Sequence, residues 1–229
     1  LKSHTLNFHF EAGTSRGILT QKTSYFIRIK QDGRTGIGEA GPLRGLSPEF
    51  EEDCTASFQK IIDQLPELPH STAEIPAYLE NIPFTFPSLR MAMEMALLDW
   101  MQGGHGRYFN NSFSTQEAPI PINGLIWMGN PSFMREQIDA KLAAGYNCLK
   151  LKIGAIDFDQ EIEILQEIRA RYSASDLSIR VDANGAFAVS EAAEKLERLA
   201  QFDLHSIEQP IRAGQWEAMH DLCAQNILP

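Results

Sequence analysis

Two lysines separated by one residue, Lys150 and Lys152, sit in the run Cys-Leu-Lys-Leu-Lys-Ile-Gly at 148–154. Leu149, Leu151 and Ile153 alternate with them, the period of a β-strand whose successive side chains point to opposite faces. Placing two ammonium groups on one face of a strand flanked by helical patterns is expensive if that face is dry. The cations also repel, which lowers the pKa of whichever is more buried and makes it usable as a base near neutral pH. The alternative is an exposed strand with two ordinary surface lysines.

The same alternation runs through two later stretches. At 178–184, Ile179 and Val181 face one side, so Arg180, Asp182 and Asn184 point to the other. At 206–210, Ile207 faces the first side and Glu208 the second. Lys150, Lys152, Asp182 and Glu208 are therefore expected in one interior, each where its strand is about to become a loop. Two carboxylates from adjacent strands make half of an oxygen-rich site for a hard cation, and Mg²⁺ is the cation expected. A structural ion-pair cluster is the competing reading, a costly one to bury. With a metal the combination has a chemical logic. A carboxylate bound to Mg²⁺ has a removable α-proton, because the metal and a nearby cation stabilise the enediolate. A lysine of lowered pKa can take that proton. The expected chemistry is proton abstraction next to a carboxylate, on a small anionic substrate.

These residues need a frame. Strands are expected at 121–127, 148–153, 177–183 and 205–209, with helices at 132–144, 157–172, 190–201 and 215–224. Strand starts recur about every 28 residues, a βα repeat that implies a parallel sheet with right-handed crossovers. A doubly wound open sheet is the alternative. A TIM-like α/β barrel is preferred because charged residues sit on the inward face near the C-terminal ends of three consecutive strands.

Before residue 119 the pattern differs. Strands are expected at 3–10 and 24–31, and Gly13 to Thr20 between them reads either as a mobile ligand-contacting loop or as a plain hairpin connection. Gly36-Ile37-Gly38-Glu39-Ala40-Gly41 has the letters of a dinucleotide-binding fingerprint, but Pro42 follows where a helix should open, so that reading is rejected. The glycines are expected to end a meander strand. An acidic amphipathic helix is expected at 48–65, capped by Ser47 with Pro48 at its first position, and a shorter one at 72–81. The strongest helix of this half runs 87–100, apolar over most of its circumference, with methionines as core filler and Gly103-Gly104 closing it.

The 229 residues carry 20 basic and 30 acidic side chains, a net charge of −10 that argues against nucleic acid as a partner. No apolar run is long enough to span a bilayer and no signal-peptide pattern opens the chain, so no membrane is expected. Cys54, Cys148 and Cys223 are odd in number and lack metal-like spacing; they are expected to be reduced and buried in a cytoplasmic protein. In such a protein the sequon at Asn110 carries no meaning.

The Lys-x-Lys strand, the Asp182-Ala183-Asn184-Gly185 turn and Ile207-Glu208-Gln209-Pro210 resemble successive barrel motifs of the enolase superfamily, in its muconate-lactonizing-enzyme-like subgroup. Residues 124–129, and 207–211 with Gly214-Gln215-Trp216, are most similar to the o-succinylbenzoate synthases of menaquinone synthesis. The resemblance implies an N-terminal α+β capping domain at 1–118 and part of a βα barrel at 119–229. It implies Lys152 as the acid/base that removes the α-proton and assists loss of the β-hydroxyl as water. Lys150 would be its cationic neighbour, Asp182 and Glu208 the Mg²⁺ ligands, and Asn184 a support behind them. Arg16 falls in what resembles the family's capping loop, where contact with the substrate's far carboxylate is expected.

The family needs eight βα units, a third metal carboxylate and a lysine on the far face. Four units are present, and the next strand-end acid is expected at about residue 233–237, past Pro229. Residues 226–229 read as the start of that strand, and the chain starts at Leu1 rather than Met. The expectation is an incomplete barrel, binding Mg²⁺ weakly and inactive alone, within a longer protein that allows a homo-oligomer. Two alternatives stand beside the lyase: a racemase or epimerase of N-acyl amino acids or dipeptides, and a non-catalytic fragment or binding module that kept the motifs.

Overall fold

Three strands open the chain: β1 (Lys2–Thr14), β2 (Gly17–Gln31) and β3 (Arg34–Ala40), in the order β1-β2-β3. The computed structural model describes residues 1–14, 17–51 and 53–229, which fall into two compact units, 1–12 with 17–120 and 13–14 with 121–229. β2 and β3 pair antiparallel from Tyr25↔Ala40 to Gln31↔Arg34, with Asp32-Gly33 supplying the turn. The strands are longer than expected: Gly17 to Thr20 belongs to β2 rather than to a loop. Arg16 lies outside the described residues.

The first unit's helices are α1 (Thr55–Ile62), α2 (Ile75–Leu79) and α3 (Pro87–Met101), with a 3-10 turn at Thr72–Glu74 before α2. Tyr25, Ile27 and Ile29 of β2 pack with Phe58, Leu79, Leu89, Met93 and Leu97 in one apolar core. The fingerprint-like glycines have a packing role inside β3. A Cβ on Gly36 would stand 2.0 Å from the Ala96 carbonyl oxygen, and one on Gly38 only 1.7 Å from that of Ala92. They let α3 lie directly on the strand. The expected helix at 48–65 is shortened to its second half. Glu49 is buried instead, its carboxylate accepting the Ser88 N–H at 2.6 Å at the start of α3, and the Cys54 N–H goes to the Tyr25 hydroxyl. Those non-local bonds outweigh the local helical pattern.

The second unit alternates strand and helix: β4 (Gly124–Ile126), α4 (Pro131–Ala143), β5 (Cys148–Lys152), α5 (Phe158–Arg171), β6 (Ser178–Asp182), α6 (Val189–Ala200), β7 (Ser206–Glu208) and α7 (Trp216–Gln225). The sheet is parallel throughout, in sequential order β4-β5-β6-β7. Asn130 and Asp157 cap α4 and α5, accepting from Phe133 N and Asp159 N. Ile126, Leu149, Leu151, Ile179 and Val181 share one cluster with Ile138 of α4, Leu165 of α5, Leu196 of α6 and Leu222 of α7. The helices thus cover the face that the alternate strand residues present, and the opposite face carries the polar residues. Residues 226–229 add no strand to the sheet, although the Ile207 N–H donates to the Pro229 carbonyl at 2.8 Å. The three cysteines are free but not uniformly buried: Cys54 is, Cys148 is partly so, and Cys223 is exposed on α7, where only one helix face meets the core.

Candidate functional site

Register sets the site. Lys152 pairs with Asp182 and Asp182 with Glu208, so three ionisable side chains stand in one row across β5, β6 and β7. Lys150, beside Arg180, is one same-face step earlier. Because the strands are parallel and in phase, the four positions Lys150, Lys152, Asp182 and Glu208 share the face opposite the apolar cluster.

Asp182 is the centre. Its side chain is 3% exposed, and its Oδ2 lies 3.5 Å from Lys150 Nζ and 3.3 Å from Lys152 Nζ. Its Oδ1 accepts the Asn184 N–H at 3.0 Å. Asn184, in the left-handed region at φ 48°, turns its own Oδ1 back to accept from Lys152 at 2.9 Å. Asn tolerates that conformation better than most residues. Glu208 is more open, 60% exposed, and accepts a hydrogen bond from Lys150. The lysine side chains are 23% (Lys150) and 18% (Lys152) exposed.

Burial pulls the Lys150 ammonium pKa down. The hydrogen bond from Lys150 to Glu208 and the charges of Asp182 and Glu208 more than offset this, leaving it above the ordinary lysine value. For Lys150, the acids outweigh burial, and it stays a cation at neutral pH.

The Lys150 ammonium also reports how the acids are aimed. It reaches both Asp182 and Glu208, so two hard oxygen donors on neighbouring strands converge on one point of positive charge. That donor set fits Mg²⁺, which takes one or two carboxylates and fills its remaining positions with water and substrate oxygens. Among the described residues no group of three or more His, Cys, Asp or Glu stands close enough to hold a metal.

Two features near the site were not expected. Gln137 of α4 grips the end of β4: its Oε1 accepts the Trp127 N–H at 2.9 Å and its Nε2 donates to the Trp127 carbonyl at 3.1 Å. Glu161 of α5 is 2% exposed, and its carboxylate accepts the Gly154 N–H at 2.6 Å, two residues beyond Lys152. Burial pushes its pKa up to about 7, against the lowering effect of the Gly154, Ile156 and Ala155 amides and the Lys195 charge. A Glu in the first turn of a helix reads as an ordinary favourable charge. The glycine seven positions earlier was the only available signal.

The family profile described as "Enolase C-terminal domain-like" matches residues 133–228. An o-succinylbenzoate synthase of Desulfotalea psychrophila is 46% identical over 247 residues, covering 97% of this chain and 67% of that protein. The crystal structure of MenC from Desulfotalea psychrophila superposes with a TM-score of 0.77 at 40% identity, over 97% of this chain and 68% of the other. An o-succinylbenzoate synthase from Thermosynechococcus elongatus, complexed with Mg in its active site, has a TM-score of 0.76 at 23% identity, over 97% and 64% of the two chains. The chain thus spans about two thirds of the length of these relatives.

Proposed function

For a chain that belongs to the enolase superfamily, in its muconate-lactonizing-enzyme-like subgroup, we propose the Mg²⁺-dependent dehydration of a cyclohexadiene hydroxy-acid to o-succinylbenzoate. The parallel sheet β4–β7, with helices on one face and ionisable groups on the other, supports reading residues 119–229 as part of a TIM-like barrel. Residues 1–118 then form its capping domain. A third of the matched synthase's length lies outside the match, and the activity is proposed for a protein of that length.

Each residue has a task set by its place. Lys152, within reach of Asp182 and Asn184, takes the substrate's α-proton on Nζ and returns it to the departing β-hydroxyl, which leaves as water. Lys150, held cationic by the two acids, compensates the negative charge that builds on the substrate carboxylate. Asp182 and Glu208 would hold Mg²⁺, and Asn184 keeps Asp182 and Lys152 in register. When bound, the metal supplies Lewis-acid polarisation of the substrate carboxylate. Arg16 is proposed to meet the substrate's far carboxylate.

The observation that carries this reading is the shared Oδ2 of Asp182, within 3.5 Å of both ammonium groups and in the same row as Glu208. Incubating a protein of the matched synthase's length that contains this chain with Mg²⁺ and the hydroxy-acid, and separately with N-acyl amino acids and dipeptides, tests it. Dehydration abolished by a chelator supports the proposal. Rapid α-proton exchange of an N-acyl amino acid without any dehydration overturns it in favour of racemisation.

A further inference from the structure

We propose that Glu161 is a positioning residue for the Lys152, Asp182 and Asn184 group, acting through the loop that follows β5. The inference rests on the proton-transfer reading above. Glu161 touches none of the three. Its Oε1 accepts the Gly154 N–H at 2.6 Å, and the Ala155 and Ile156 amides face the same carboxylate. Of these three successive amides, that of Gly154 makes the hydrogen bond, immediately after the strand that ends at Lys152. The other carboxylate oxygen, Oε2, is buried without a hydrogen-bond partner among the described residues. A half-satisfied buried carboxylate is a poor device for stability. What it secures is the place of the loop.

That loop reaches the site from two directions. Gly154 has φ 91°, and a Cβ there would stand 2.3 Å from the Ala186 Cβ and 3.3 Å from the Ala183 carbonyl oxygen. The loop therefore lies directly on the turn after β6. One residue earlier, the Ile153 N–H donates to the Asp182 carbonyl at 2.9 Å. Within the turn, Asn184 binds both Asp182 and Lys152. Displacing 154–156 moves Lys152 along its own strand and moves Asn184 by loss of the packing at Ala186. The charged group facing Glu161 from α6 is Lys195, itself bonded to Glu191 at 2.9 Å.

Backbone hydrogen exchange in the full chain, without substrate or metal, tests the inference in Glu161→Ala and Glu161→Gln. In Glu161→Ala, exchange at 154–156 should accelerate at least about tenfold and carry the 183–186 turn with it, and titrated Mg²⁺ should bind at least about fivefold more weakly. Glu161→Gln, which keeps an acceptor oxygen in the same place, should recover most of the protection. Acceleration confined to 154–156, or Mg²⁺ affinity within about twofold of the parent, would reduce Glu161 to a loop cap and overturn the proposal. Should Glu161→Ala not fold, Glu161→Asp, shorter by one methylene, reads the same outcomes. The exchange readout needs no turnover, so a failed dehydration assay would sink the reaction and leave this result standing.

Discussion

Lys150 and Lys152 reach the same oxygen, Oδ2 of Asp182, from two positions on one strand, at 3.5 and 3.3 Å. Lys150 additionally binds Glu208 and Lys152 additionally binds Asn184, so the two ammonium groups are sorted by their second partners. The first is bound by two acids and the second by one acid and a neutral amide. That asymmetry is why we propose charge compensation for Lys150 and proton transfer for Lys152.

Removing Lys150 separates catalysis from metal binding. Its ammonium lies between the two proposed metal carboxylates, where it competes with a divalent cation rather than ligating one. Lys150→Met should lower kcat by about 100-fold or more, the scale of losing one charge-stabilising group. By calorimetry, Mg²⁺ affinity should stay equal or tighten. A clear weakening of Mg²⁺ binding would contradict this placement.

Asp182→Asn leaves two ammonium groups facing each other without the acid between them. Removing one partner of a buried pair is strongly destabilising, and the partly exposed lysines soften the effect to about 2 kcal/mol in urea unfolding. Lys152→Met in the same background should restore part of that loss. A pair of single variants whose effects simply add would show that the contact carries no coupling.

The stability of the fold should respond to Glu161 near neutrality. Its carboxyl titrates at about 7 when folded, against 4.5 for the ordinary group, so the native state holds the proton more tightly. Stability from this residue is fullest below pH 4.5 and is lost as pH rises through 7, by at most about 3 kcal/mol. Glu161→Gln cannot titrate and should lack that slope. Urea unfolding of both proteins at pH 5 and pH 8 compares them. Identical slopes would contradict the assigned shift.

Gly154→Ala should be costly twice over, through the left-handed backbone at φ 91° and through the 2.3 Å approach to Ala186. A loss of about 2–3 kcal/mol would lower Tm by roughly 5–10 °C in a chain of this length. A shift under about 2 °C would mean that the loop yields freely.

Much of the second unit was legible because its signal is local. Leu149, Leu151, Ile179 and Val181 alternate with charged residues over single strands, and period two is enough to place Lys152, Asp182 and Glu208 in one row once the strands are parallel. The first unit hid its decisive contacts in long-range pairings. Nothing near Glu49 announces that it binds Ser88, and nothing near Gly36 or Gly38 announces that α3 lies against them. Glu161 escaped notice for the same reason: its burial comes from folding the post-β5 loop over α5, which helix periodicity does not encode. That Lys150 is held above the ordinary lysine pKa was equally hidden in the strand's own sequence, because the acids that bind it come from β6 and β7.

The central claim is that Lys152 moves the substrate's α-proton. Its most direct measurement is the Mg²⁺-dependent dehydration rate of Lys152→Ala against the parent protein, at matched metal occupancy. We expect kcat to fall by about 10³-fold or more, with Mg²⁺ affinity unchanged within about threefold. A variant that keeps its rate within about tenfold would contradict the claim and return Lys152 to the status of an ion-pair partner of Asp182.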